Sequence, residues 1–393
     1  MKPKTFVVVG GGYAGIHAVR SLQKGFREEL RRGLLKLVLI DKQAYHLRKV
    51  LLFKPAAARE EIKIPFRQLF PEGVELVRGA VTRIESADKS LLCQDENGAE
   101  RRIGYDVLVL AAGSVVRQPE PEAGGIALTG VDAAIEIREA WLANLKQAAG
   151  TQDERERRRL LTIAVAGAGI SGIETAAELA HYVRVGASVL GLDPAEVKIR
   201  LLNAHDRLFG QGPAKVGQRL EAELAERGVA VIHGCRAVRE KEGVLALSSG
   251  ESMPVGLCIW SLGLQPNPML RSIGVPLTPD GYVAVDASYR VQGAHGVYSI
   301  GDCAHIRDAS GKTDGKTCKE ASAQAVRLAK VIEADIEGRS APAHKPYADV
   351  FCFGLGPEQG LVWTRQWGLD FIIARRLGWR IRKLTWDVAS LLK

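Results

Sequence analysis

Two sets of glycines and three carboxylates stand at spacings whose chemistry suits phosphates and ribose hydroxyls. Gly10, Gly12 and Gly15 spell G-x-G-x-x-G directly after the apolar, β-branched run Thr5 to Val9. The first glycine permits the tight turn, and Gly11 with Gly12 lets backbone approach a pyrophosphate. The third lets the helix that opens at Tyr13 and Ala14 pack on the strand, with its N-terminal N–H groups and dipole aimed at the phosphates. A second apolar run, Leu37 to Ile40, ends at Asp41, whose carboxylate can accept from both hydroxyls of an adenosine ribose. The glycines alone are a common pattern; strand, glycines, helix, strand and acid in that order are not.

The module then recurs. Leu161 to Ala166 reads as a strand, Gly167, Gly169 and Gly172 repeat the glycine spacing 157 residues later, and Ile173 to Val183 continues as a helix. Two such units imply two dinucleotides, or two halves that each bind one. The second departs from the rule at Asn203, where its next strand (Val197 to Leu202) ends on an amide rather than an acid. An amide can bond a ribose hydroxyl but repels no 2′-phosphate, and His205 and Arg207 nearby could attract one. NADH against NADPH therefore stays open. Asp302 follows the strand Val297 to Ile300, so its carboxylate stands at a strand's C-terminal end, the edge that faces ligand in an open α/β sheet. Glu174 lies in the first turns of the second helix, where a carboxylate suits the helix dipole.

These residues need elements to carry them. At 393 residues the chain exceeds a single core, so two or more domains are expected. Helices are expected over Ala14 to Leu30 and Val131 to Leu161, and strands over Val74 to Val81, Ser90 to Gln94, Glu100 to Ile103 and Tyr105 to Gly113. The stretch Gln43 to Ile64 reads as loop and helix, with His46 a satisfied hydrogen-bonding residue rather than a catalyst. No apolar run reaches the roughly 18–20 residues of a membrane span, and a cytoplasmic protein follows. The six cysteines have no paired spacing for zinc, so no metal is expected. A net charge of +9 comes with no nucleic-acid recognition module.

Two glycine fingerprints, the strand YDVLVLAAG and the element VYSIGDCA resemble the flavoproteins with two dinucleotide-binding domains. GAGISGIETAAELA, YHLRKVLLFKPAA and FGLGPEQGLV make the chain similar, within that group, to the type II NADH dehydrogenase family. The resemblance implies an α/β fold of two Rossmann-like units, the second inserted in the first. Residues 1–118 and 281–338 would bind FAD, 119–280 would bind NAD(P)H, and 339–393 would form a C-terminal region. By similarity Gly10 to Gly15, Asp41, Lys42, Val81, Ala112, Gly113 and Asp302 would contact FAD. Gly167, Gly169, Gly172, Asn203 and Gly263 would hold the pyridine nucleotide, and Glu174 would lie near flavin and nicotinamide as the catalytic residue. The implied reaction is hydride transfer from NAD(P)H to flavin, then electron transfer to a quinone or another small acceptor. Quinone-reducing members carry an A-Q-x-x-Q-like sequence where this chain has Cys318 to Gln324, which places Lys319 where a glutamine would approach the flavin. That departure and Asn203 keep a second expectation open, a redox-responsive binding protein with a decayed nucleotide or quinone site.

The tail, Phe371 to Lys393, is expected to be one amphipathic helix with Leu377, Ile381, Leu384, Val388 and Leu391 on one face. It carries +5 of the net charge, and four of the six tryptophans fall in the last 31 residues. Such a helix suits the anionic inner face of the cell membrane, with Arg375, Arg376, Arg380, Arg382 and Lys383 facing headgroups. Packing on a dimer partner is the alternative.

Overall fold

β-Branched runs without a polar face must be covered on both sides, and this chain uses them as the centres of two parallel sheets. The computed structural model describes residues 3–392. In the first sheet the order is Val297–Ser299, Val107–Leu110, Lys4–Val9, Leu35–Asp41, Glu75–Arg78, all parallel. In the second it is Ile126–Ala127, Leu257–Trp260, Thr162–Ala166, Lys198–Leu202, Val229–Ile232, also all parallel. The central strands Val107–Leu110 and Leu257–Trp260 are buried throughout. Each sheet also carries a three-stranded antiparallel meander, Ala80–Gly104 in the first unit and Ala237–Pro254 in the second. The expected architecture of two Rossmann-like units is what the chain adopts.

The units meet at a short antiparallel ribbon, Ser114–Val116 against Leu264–Pro266, formed where the chain leaves one sheet and returns from the other. Because it follows the C-terminal ends of a central strand in each sheet, the ribbon sets the two ligand crevices side by side.

Several boundaries differ from the sequence reading for local reasons. The first helix runs Tyr13–Gly25 and a short one follows at Arg27–Arg31. Between them Phe26 turns inward and packs edge-on against Phe6, ring centroids 5.1 Å apart. The 131–161 stretch breaks likewise, because Asp153 caps a new helix by accepting from the Arg155 and Glu156 N–H groups. Val74 to Val81 splits into Glu75–Arg78 of the parallel sheet and the start of the meander. Within 43–64, Tyr45–Leu47 pairs with Lys63–Pro65 around the Phe53–Ala57 helix.

The tail is the main correction. Phe371 to Ala374 belong to a strand, Leu369–Ala374, of an antiparallel sheet with Val350–Gly354 and Gly360–Gln366. The helix begins only at Arg375 and ends at Ala389. It lies close on that sheet because Gly378 has no side chain; a Cβ there would stand 2.4 Å from the Gly360 carbonyl oxygen. Trp386, Phe353, Leu361 and Trp363 share one core with the second unit's helix.

Candidate functional site

Each glycine turn lies at the C-terminal end of the middle strand of its sheet. Gly10 has φ +101°, and a Cβ on Gly15 would fall 1.7 Å from the Gly10 carbonyl oxygen. Gly167 and Gly172 repeat this with φ +115° and 1.8 Å, so in both units the helix is seated tightly on the turn. At the middle glycines, Gly12 and Gly169, an added Cβ would meet nothing within 4 Å. These residues cap the Tyr13–Gly25 and Ile170–Val189 helices, and no side chain bonds the first N–H groups. Free donors and a helix dipole therefore face open space, which is the chemistry of a pyrophosphate cradle, built twice.

Asp41 completes the first cradle. Its carboxylate accepts from the Gly11 N–H (2.6 Å) and the Gln43 N–H (2.7 Å) and stays partly exposed. Burial pushes its pKa up, opposed by those two N–H groups and by Lys42, which is itself exposed. Across the crevice, Asp302 accepts from the Ser114 hydroxyl at 2.7 Å. Lys49 donates to the Ser114 carbonyl (2.8 Å) and Lys316 to the Asp302 carbonyl (3.0 Å), so two ammonium groups flank one carboxylate. Burial raises the Asp302 pKa, while the Ser114 bond and both lysines oppose it. Val81 is buried in the meander core, and the Ala112 carbonyl accepts from Asn267 at 3.0 Å. Gly113 and Gly263, with φ +65° and +83°, leave open space on either side of the ribbon.

Behind the first cradle, His46 donates from Nδ1 to the Gly11 carbonyl (2.9 Å) and stacks edge-on with Tyr13, centroids 4.8 Å apart. Burial lowers its pKa to about 4, so the ring is neutral at pH 7 and holds the turn. The Tyr13 hydroxyl is buried with no hydrogen-bond partner among the described residues. Open cradle, orphaned hydroxyl and two strand-end carboxylates fit a dinucleotide, with Gly10 to Gly15 beside its phosphates and Asp41 beside a ribose.

Glu174 is not a free acid. It is 2 % exposed and accepts from the Gly354 N–H (2.7 Å) and from Arg382 through Nε (3.0 Å) and Nη2 (2.8 Å). Burial raises its pKa, and Arg382 and the Gly354 N–H oppose that. One turn further, Glu178 is buried against Lys54 at 2.7 Å. The second unit's helix is thus clamped to the tail by one buried carboxylate and to the first unit by the other. Arg382, assigned from sequence to lipid headgroups, is only 6 % exposed and packs over the Trp386 ring. No periodicity separates a buried arginine from its exposed neighbours; only the partner at Glu174 does.

Two further residues differ from their expected roles. The Asn203 side chain is buried, donating to the carbonyls of His205 (2.9 Å) and Arg207 (3.0 Å) while its oxygen accepts from the His205 N–H. Its polar atoms are engaged in organising its own loop. Arg207 bonds the Phe209, Gly210 and Gly212 carbonyls, leaving exposed His205 as the group free to meet a 2′-phosphate. Lys319 reaches the Val350 carbonyl (3.0 Å) and the Cys352 sulfur (3.4 Å), tying its helix to the C-terminal sheet.

The known relatives agree with this geometry. Over 390 residues the chain is 26% identical to the demethylphylloquinone reductase NdbB of Synechocystis, covering 97% of this chain and 92% of that one. It is 27% identical over 360 residues to the type II NADH:quinone oxidoreductase Ndh of Mycobacterium tuberculosis, covering 87% and 74% of the two chains. Its fold superposes on the structure of NDH2 from Plasmodium falciparum in complex with NADH with a TM-score of 0.84, at 14% identity and over 100% and 97% of the chains. The family model described as pyridine nucleotide-disulphide oxidoreductase matches residues 4–325, and the chain belongs to that family.

Proposed function

We propose that the protein is an FAD-dependent NAD(P)H:quinone oxidoreductase attached peripherally to a membrane. The observation that carries this reading is the ribbon between the units. The Arg117 N–H donates to the Gly263 carbonyl (2.9 Å) and Asn267 to the Ala112 carbonyl (3.0 Å), so the ribbon is pinned at both ends, with the open Gly113 at one end and Gly263 at the other, and only three residue pairs separate the two crevices. A nucleotide in each cradle then brings its reactive ring to the same place, and proximity supplies much of the rate. Held by Gly10 to Gly15, Asp41 and Asp302, FAD would supply two-electron redox chemistry between a nicotinamide and a quinone-like acceptor. The chain's part is to align the rings and exclude water, with Lys49 and Lys316 setting the positive potential beside Asp302.

The names of the relatives support the quinone, and the tail supports the membrane. Leu377, Leu384 and Val388 point outward from its helix and are 58 %, 48 % and 45 % exposed. Arg375, Arg376, Arg380 and Lys383 are exposed beside them, each contributing about 1 kcal/mol at an anionic surface. No helix among the described residues is long and apolar enough to cross a membrane. The test is anaerobic stopped-flow. NADH should bleach the flavin of the purified protein within one turnover, and a menaquinone or ubiquinone analogue should restore it. Protein that binds no FAD, or whose flavin NADH and NADPH leave oxidised, would end the proposal. Leu377→Ser with Leu384→Ser and Val388→Ser should release the protein from anionic vesicles without changing dye reduction.

A further inference from the structure

A cleft of about 1180 Å³ opens on the second unit, on the edge opposite its nucleotide crevice. Gly167 and Asn203 mark the C-terminal ends of two of that sheet's strands. The cleft lies instead where Lys198–Leu202 and Val229–Ile232 begin, against the outer turns of the Ile170–Val189 helix. Its remaining wall is the 355–359 turn and Arg375 and Arg376, the first residues of the tail helix. Nothing in the proposed reaction uses it.

The lining is strongly basic. Arg184, Lys198, Arg227, Arg375 and Arg376 line it against a single carboxylate, Glu226. Arg227 is neutralised by Glu223 at 2.8 Å, whereas Arg376 approaches Glu358 only to 3.8 Å with both side chains exposed. Arg184 is held by the carbonyls of Ala180, Val197, Arg227 and Gly228, and Lys198 by that of Ala195. Carbonyls fix these groups without cancelling their charge, so a positive potential is built into the cleft. Exposed aliphatic side chains lie next to the lining in sequence: Val185 lines the cleft, Val189 one turn on is 80 % exposed, and Leu377, 58 % exposed, follows Arg376. A fixed basic interior with aliphatic neighbours on two helices matches an anionic head on an acyl chain.

We infer that this cleft binds the phosphodiester headgroup of an anionic phospholipid. The inference rests on the membrane attachment proposed above but goes beyond it, because Arg184 and Lys198 belong to the nucleotide unit and not to the tail. Bound there, a lipid bridges the tail helix and the second unit, the two parts that the Glu174–Arg382 pair already joins.

Lys198→Glu separates the two claims. The holoenzyme is sedimented with phosphatidylcholine vesicles and with vesicles holding one-third phosphatidylglycerol at physiological salt. Wild type should favour the anionic vesicles, and Lys198→Glu should lower that preference about tenfold while leaving binding to neutral vesicles intact. Lys24→Glu, the same charge change on the first unit, should lower it less than twofold. A diazirine phosphatidylglycerol should crosslink to peptides within 177–198. Equal losses in the two variants would reduce the effect to net charge and overturn the inference, as would crosslinks confined to 377–392. Abolition of the preference by millimolar inorganic phosphate, with no crosslink, would assign the cleft to free phosphate. If the wild type binds neither vesicle, the attachment itself fails.

Discussion

The two nucleotide units share a strand order, a glycine turn and a meander, yet they diverge at the residues that follow the same registers. Asp41 and Asn203 occupy matching places, each one residue past a strand pair in identical register (Val9 with Ile40, Ala166 with Leu202). The acid bonds its own glycine turn and stays partly exposed; the amide turns inward and fastens a loop. His17 and Glu174 also match, each seven residues after the first glycine of its turn. Both hold the tail helix: His17 donates to the Ala389 carbonyl at 3.0 Å, and Glu174 takes Arg382. The two units share the scaffold and the contact with the tail, and differ at the residue that follows the second strand. A resident cofactor needs every available anchor, whereas a substrate that must leave after each turnover does better with fewer.

The largest effect should come from filling one cradle at a time. Gly12 and Gly169 have extended backbone with φ near −70°, which any residue adopts, and open space beside them, so valine there folds but occupies the phosphate site. Gly12→Val should yield colourless protein, with FAD affinity down at least about 100-fold, roughly 3 kcal/mol. Gly169→Val should stay yellow, with a comparable loss in kcat/KM for NADH. Flavin absorbance and single-turnover reduction read both, and loss of flavin in both variants would mean that the cradles are not separate.

Removing a clamp comes next. Arg382→Met leaves the Glu174 carboxylate buried and uncompensated, at a cost of about 3–5 kcal/mol in denaturant unfolding. Without the guanidinium, burial raises the folded pKa of Glu174 further, opposed only by the Gly354 N–H. A raised carboxyl is harmless once protonated, so the deficit should shrink as pH falls through that pKa. Glu174→Gln in the same chain should restore most of the stability. A single variant as stable as wild type would show that Gly354 suffices.

His46 gives the pH dependence of the first unit. Its pKa falls from 6.5 to about 4 on folding because burial disfavours the charged ring. Protons therefore bind the unfolded chain more readily, and this stabilisation is complete above pH 6.5 and is lost as pH falls towards 4. The shift corresponds to about 3 kcal/mol. His46→Asn keeps a donor for the Gly11 carbonyl but cannot titrate, and it should flatten the stability curve between pH 6.5 and 4. An unchanged slope would assign the acid sensitivity elsewhere, with His17, whose pKa burial also lowers, the next group to replace.

What could be read from the sequence follows the range of each interaction. The glycine turns, the strands flanking them and Asp41 are local, period-2 or fixed-spacing features, and both sheets were legible from them. The Gly301-Asp302 element was legible because a carboxylate after a buried strand has few other uses. Lys49 and Lys316 were not: Lys49 reaches Asp302 through Ser114, which is 188 residues from that acid, and Lys316 folds back from 14 residues on to the Asp302 carbonyl, with no fixed spacing to mark either. The tail was legible only in part. Leu377, Ile381, Leu384 and Val388 form the expected helical stripe on the side away from the core, but Arg382, expected among the exposed basic groups, lies with Gly378 and Trp386 on the face that packs inward. A hydrophobic period identifies a helix without saying which of its charged residues finds a buried partner.

The smallest effect should be at Asn203, and it bears most directly on the comparison between the units. From sequence the amide was expected to read the ribose, so that Asn203→Glu would change the preference between NADH and NADPH. In the structure its nitrogen faces the carbonyls of His205 and Arg207 and the His233 ring, so a carboxylate there would confront acceptors instead of a ribose. Asn203→Asp should therefore loosen the 203–212 loop and cost about 1–3 kcal/mol of stability, the penalty of unpaired buried acceptors. Its NADH/NADPH ratio in kcat/KM should move less than about threefold, under 1 kcal/mol. His205, exposed on the same loop, should do more: His205→Glu adds a negative charge where a 2′-phosphate would approach and should turn the ratio towards NADH by about tenfold. Steady-state kinetics with both nucleotides, beside melts of each variant, separate loop damage from nucleotide reading. If Asn203→Asp shifts the ratio more than His205→Glu at unchanged stability, the amide swings out to the ribose when nucleotide binds. The second unit would then recognise its ligand as the first does.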